Sequence, residues 1–173
     1  MRPPAYLLFT AVVLLGGCAP SGPPLVSKYL MGEKVQLGKL SYTVFETQWM
    51  TQFGEGPMAR VPQNRFFLVR FSAVNGGSDD VPVPNMTIQD DRGQVYEELS
   101  TGEGVPQWAG YLRKVKPADS VQGNALFDAP PGHYKLKLSD ETITKAALID
   151  IPLSFGAETP EVVAPGEKPG EKK

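Results

Sequence analysis

The chain has 173 residues with 18 Gly, 17 Pro, one Cys, one His, and 17 basic against 19 acidic side chains, which is room for one domain and its appendages. A formal charge of −2 with no basic cluster is poor material for neutralising nucleic-acid phosphates, so a nucleic-acid partner is not expected. A single cysteine excludes an internal disulfide, and a single histidine excludes a multi-histidine metal site.

Taken in chain order, residues 1–17 carry one positive side chain, Arg2, then an apolar stretch from Ala5 to Leu15, then small residues. This is the layout of a secretory signal. The apolar stretch is about half of the roughly 20 residues that a helix needs to cross a hydrocarbon core. Its end, Leu15-Gly16-Gly17-Cys18, resembles the bacterial lipobox. That resemblance implies cleavage between Gly17 and Cys18 and a lipid on the Cys18 sulfur, making Cys18 the first residue of the mature chain. A thioether lipid with N-acylation supplies several acyl chains, and two already give stable anchoring. The expected partner is therefore a membrane, reached through the lipid on Cys18. Ala19 stands where an aspartate would resemble an inner-membrane retention signal. The expected location is thus the bacterial cell envelope, at the outer membrane in a diderm host. Losing residues 1–17 removes Arg2 and no acid, so polybasic recognition of lipid head groups is not expected.

After Cys18, the segment Ala19-Pro20-Ser21-Gly22-Pro23-Pro24 is too poor in apolar residues to pack, and 18–30 reads as a tether. Residues 31–155 then show period two. Phe67, Val69, Phe71 and Ala73 form one row, while Phe66 and Leu68 make the start of the other face apolar too, the mark of a central strand. Further rows are Val121, Gly123, Ala125 and Phe127; Tyr134, Leu136 and Leu138; and Ala147, Ile149, Ile151 and Leu153. Turn residues separate them: Asn75-Gly76-Gly77-Ser78, Asp90-Asp91-Arg92-Gly93, Lys116-Pro117-Ala118-Asp119 and Pro130-Pro131-Gly132. Apart from a short turn between Gly102 and Trp108, no helical stripe stands out. The pattern predicts an all-β, antiparallel sandwich of seven or eight strands. The last stretch, 156–173, holds three Pro, three Gly, four Glu and three Lys, and it reads as a disordered tail.

Five segments in order carry a resemblance. They are Met31-Gly32-Glu33-Lys34-Val35 with Tyr42-Thr43-Val44; Phe66 through Asn75; Ile88 through Tyr96; Val115 through Gly123; and Ala125 through Pro130. Together they resemble a family of bacterial lipoprotein and secreted domains of unassigned function, similar in fold to a secreted mycobacterial immunogenic protein. The resemblance implies an immunoglobulin-like sandwich in the cell envelope and supplies no catalytic residue and no cofactor. The departure from it is a longer insertion, Thr51 to Asn64, where a short loop is usual.

Chemistry is scarce. His133 follows Pro131-Gly132 at a hairpin tip, and no G-x-S-x-G turn accompanies it, so it reads as an exposed turn histidine. Asp79-Asp80 and Asp90-Asp91 are adjacent pairs that lack the spaced ligands of a calcium loop and read as solvated turns. Gly54-Glu55-Gly56 and Gly102-Glu103-Gly104 lack the spacing and lysine of a phosphate cradle. Met31, Met50, Met58 and Met86 are scattered and far from histidine, so copper is not expected either. Catalytic residues, cofactors and metal ligands are accordingly none. Aromatic residues on loops are the usual anchors of recognition, which makes Trp49, Phe53, Trp108 and Tyr111 the candidate partner-binding set. The expected function is a non-enzymatic, lipid-anchored module meeting an envelope partner through its loops or a sheet edge. A structural spacer is the alternative, and an envelope hydrolase a more distant one.

Overall fold

The alternating rows become strands, and the Gly, Pro and Asp clusters become the connections between them. The computed structural model describes residues 25–153. The signal, Cys18, the first part of the tether and the tail from 156 onward lie outside the described residues. The strands are β1 (Leu25–Leu30), β2 (Lys34–Leu37), β3 (Leu40–Met50), β4 (Arg65–Asn75), β5 (Val81–Val83), β6 (Thr87–Asp90), β7 (Val95–Glu97), β8 (Arg113–Val115), β9 (Ser120–Ala129), β10 (Tyr134–Ser139) and β11 (Lys145–Ile151). One sheet has the order β1-β11-β10-β6-β7 and the other β2-β3-β4-β9, while β5 and β8 form a separate ribbon. Eleven strands among the described residues exceed the seven or eight expected because β5, β7 and β8 have only three residues each, too few to show a period.

Two expectations need correcting. The tether was expected to run to residue 30, but Leu25–Leu30 is a strand whose six residues pair with Lys145–Asp150. Its sequence, LVSKYL, alternates too weakly to betray a strand at a sheet edge. The pairing of β1 with β11 is also parallel, whereas every other strand pair is antiparallel as expected.

The two sheets pack face to face around one core. Ile88, Tyr134, Leu136, Leu138, Ala147, Ile149 and Ile151 from one meet Tyr42, Val44, Phe67, Val69, Phe71, Ala125 and Phe127 from the other. Long strand β3 keeps its apolar side inward only because of a bulge. Val44 pairs with Phe71 and Glu46 with Arg70, so Phe45 is the extra residue, turned out to solvent. Before it the even residues Tyr42 and Val44 face the core. After it the odd residue Trp49 does, stacked on Phe67 with ring centroids 4.3 Å apart. The same shift puts Glu46, Gln48 and Met50 on the outer face, opposite Arg70, Leu68 and Phe66.

Candidate functional site

The outer face of the four-stranded sheet is apolar where β4 and β9 cross it, at Phe66, Leu68 and Leu126, and water must be kept off those residues. Two loops do this. The 51–64 insertion contributes Phe53, stacked on Phe66 at 4.6 Å, and the 98–112 segment contributes Leu99, Val105 and Trp108. Together they make a second hydrophobic cluster, separate from the core between the sheets. The loops are also tied to each other and to the sheet. Phe53 and Arg60 exchange backbone hydrogen bonds of 3.0 and 2.8 Å. The Arg60 guanidinium donates to the Thr101 carbonyl (2.9 Å) and hydroxyl (3.1 Å) and lies 5.0 Å above the Phe66 ring. Leu99 N–H donates to the Leu126 carbonyl at 2.7 Å, and Asn124 exchanges bonds with Gln107 and Ala109 along the β9 edge.

Two glycines make this close approach possible. A Cβ at Gly123 would lie 2.5 Å from the Gln107 carbonyl oxygen, and one at Gly102 would lie 1.9 Å from the Trp108 ring. Gln107 itself is held at φ 48°, a left-handed conformation unusual for a side chain of this kind.

Beside the second cluster, the loop and the sheet leave a cavity of about 310 Å³. Its floor is Leu68, its rim Pro106, and its polar walls are Glu46, Gln48, Arg70, Gln107 and Asn124. The volume is at the small end of ligand pockets. Glu46 and Arg70 are register partners on neighbouring strands, presenting opposite charges side by side, yet no ion pair joins them. Asn124 Nδ2 donates to the Pro106 carbonyl at 2.7 Å, which fixes one of the amides. The arrangement offers one cation, one anion and three carboxamides to a small polar ligand.

The four candidate aromatics do not share one surface. Trp49 packs against the main core beside Phe67 and Tyr134, while Phe53 is buried in the second cluster and Trp108 half-buried against it. Tyr111 alone lines an open groove, with Pro82, Pro84 and Leu112 beside the β5–β8 ribbon. The apolar outer face of β4 and β9 explains why Phe53 and Trp108 are covered.

Two charged clusters escaped the sequence. Glu98 and Arg113 are buried together, with Arg113 Nη1 and Nη2 donating to the two Glu98 oxygens at 2.6 and 2.7 Å. Met86 N–H donates to the same carboxylate at 3.0 Å, and the guanidinium lies 5.0 Å above the Phe71 ring. This fork holds the 98–112 segment at both of its ends. The second cluster is at His133, expected as a solvated turn residue. Its Nδ1 lies 2.8 Å from Asp91 and its Nε2 3.0 Å from Asp150, joining the β6–β7 turn to β11. Neutral imidazole has one N–H, so both contacts are hydrogen bonds only when the ring is protonated. The bond to Asp91 and the two negative charges raise the His133 pKa above its usual value, and the same bond holds Asp91 below the usual carboxylate range. Of the paired aspartates, Asp79 instead meets Lys39 at 3.1 Å. Among the described residues no cluster of three or more His, Cys, Asp or Glu side chains is placed to hold a metal.

Strand order, opposed faces and covering loops define a protein of the immunoglobulin-like β-sandwich class. The chain belongs to the family described as domain of unknown function DUF4352, which matches residues 29–147. No curated protein matches. Among solved structures it is similar to the yjhA protein of Bacillus subtilis, with 16% identity and a TM-score of 0.56, covering 73% of this chain and 99% of that one. It is also similar to the secreted protein MPT63 of Mycobacterium tuberculosis, with 14% identity and a TM-score of 0.53, covering 74% and 98%. A candidate lipoprotein, ycdA of Bacillus subtilis, matches at 14% identity and a TM-score of 0.52, covering 69% of this chain and 38% of that one. At these identities the likeness is one of fold.

Proposed function

We propose that the protein is a non-enzymatic recognition module, held on the membrane of the bacterial envelope by lipid on Cys18, and that it meets its partner through the loop-covered face of the four-stranded sheet. The observation that carries this reading is the polar cavity beside Gln107, because two loops, two glycines and one strained residue hold its walls in place. A site already ordered before binding loses less conformational freedom when a partner arrives. The non-enzymatic part is supported by His133, whose two ring nitrogens are engaged by carboxylates, with no hydroxyl or thiol hydrogen-bonded to it among the described residues. The envelope location is supported by the lipobox-like run before Cys18 and by a fold shared with a secreted protein and a candidate lipoprotein.

Crosslinking in intact cells tests this, comparing the natural chain with Cys18→Ala and Arg70→Glu. Capture of one partner by the natural chain, its loss in Arg70→Glu, and release of Cys18→Ala from the membrane fraction are expected. An unchanged crosslinking pattern in Arg70→Glu sinks the cavity as the site. Retention of Cys18→Ala in the membrane sinks the anchor. Deleting 51–64 outright is a poorer test, because it removes Phe53 and leaves Phe66 uncovered.

A further inference from the structure

The direction of β1 and the shortness of the segment before it favour one end of the sandwich as the end that would face the bilayer in a chain anchored at Cys18. Only six residues, Ala19 through Pro24, separate Cys18 from Leu25. Fully extended, that connection reaches about 25 Å. Leu25 pairs with Lys145 at one end of the first sheet. The same end gathers the 140–144 loop, the Gly38-Lys39 turn and the 75–80 loop, joined by Lys39 N–H to Glu141 at 3.3 Å, Lys39 Nζ to Asp79 at 3.1 Å and Gly76 N–H to the Lys39 carbonyl at 2.9 Å. The opposite end carries the 51–64 insertion, the 91–94 turn and His133. From Lys145 to Ile151, β11 runs about 20 Å at the usual strand rise. Standing the domain on that opposite end would lift Leu25 more than 20 Å and stretch the tether almost to its limit.

The Leu25 end also carries a residue that the fold does not explain. Ile143, at the apex of the β10–β11 loop, is 70% exposed and held at φ 58°. A β-branched residue in that conformation is a strained one, and glycine or asparagine would fit the turn better. The loop beneath it is rigid: Asp140 accepts hydrogen bonds from the N–H groups of Thr144 (2.7 Å) and Lys145 (3.0 Å) and from the hydroxyls of Thr142 and Thr144 (2.9 Å each). It presents a single apolar side chain outward, on the side where the anchor begins.

We infer that the 140–144 loop rests on the lipid head groups with Ile143 inserted among them, and that the 51–64 insertion points away from the membrane. This rests on the anchor at Cys18 proposed above. Cys18 is the only cysteine and its sulfur would carry the lipid, so an introduced cysteine is the only free thiol. The test labels Ile143→Cys and Met58→Cys, both at exposed positions, in the full lipidated chain with an environment-sensitive fluorophore. Each is placed in phosphatidylethanolamine and phosphatidylglycerol vesicles bearing a head-group nitroxide quencher. Quenching several-fold stronger at 143 than at 58 is the expected result. Equal quenching at the two positions, or stronger quenching at 58, overturns the orientation while the anchor stands. A labelled chain that fails to partition into vesicles overturns the anchor, and the orientation with it.

Discussion

The core between the sheets and the cluster on the outer face are both dry and well packed, but they are built differently. The first joins side chains from both sheets, each strand contributing every second residue. The second rests on one sheet, on β4 and β9 with Met50 of β3 packed against them, and is closed by residues from two loops. A sandwich core is therefore set by strand alternation, whereas a covered outer face depends on the few interactions that keep its loops in place. The Glu98–Arg113 fork is the largest of these. The two charges sit at the ends of the covering segment, and neither side chain is solvated.

Glu98→Gln should be the most damaging single change to the loop-covered half. It leaves a buried guanidinium without its counter-charge, and the expected loss is about 3–5 kcal/mol of unfolding free energy, read from the urea midpoint. Replacing both partners with apolar residues, Glu98→Leu with Arg113→Met, should recover most of that loss, which distinguishes an unpaired charge from a missing contact. Leu126→Ala comes next, at about 3 kcal/mol, because Leu126 is fully buried in the second cluster. A cost well under 1 kcal/mol would mean that the loops only lie over the face without packing on it. Gly102→Ala should cost about 1–3 kcal/mol by overpacking. It should also shift tryptophan fluorescence, since Trp108, one of only two tryptophans, must leave its place.

The smallest expected effect is at His133, and it depends on pH. Its folded pKa is raised, so the stabilisation from the double contact is complete below the unfolded value of 6.5 and is lost as pH rises through the higher folded value. Thermal unfolding of the natural protein should therefore fall through that window more steeply than that of His133→Gln. Matching pH profiles would remove the clamp from the account.

Much of the main core was legible in the sequence because alternation is a local signal. Phe67, Val69, Phe71 and Ala73 point inward as their spacing requires, and Gly93 takes the left-handed position of the β6–β7 turn at φ 85°. The apolar pair Phe66 and Leu68 on the other face was also visible, and it marked β4 as central. That this pair implied a cover was the step the sequence did not reveal, since the covering residues lie 13 positions before Phe66 at Phe53 and 37 after Leu68 at Val105. The cavity residues were harder still. Glu46 and Arg70 meet only because the bulge at Phe45 shifts β3 by one residue, and a bulge leaves no mark in composition. Nothing local to Glu98 or Arg113 in the sequence shows that both are buried.

The most direct test of the account is amide hydrogen exchange on the full chain, followed residue by residue across the two covering loops. The amides of Phe53, Arg60, Leu99 and Ala109 each donate to a backbone carbonyl. If the loops form a second packed unit with a preformed cavity, these four should exchange far more slowly than the amides of an unstructured chain, and Glu98→Gln should release them before the β10–β11 ladder opens. Exchange of all four at the rate of an unstructured chain would contradict the account.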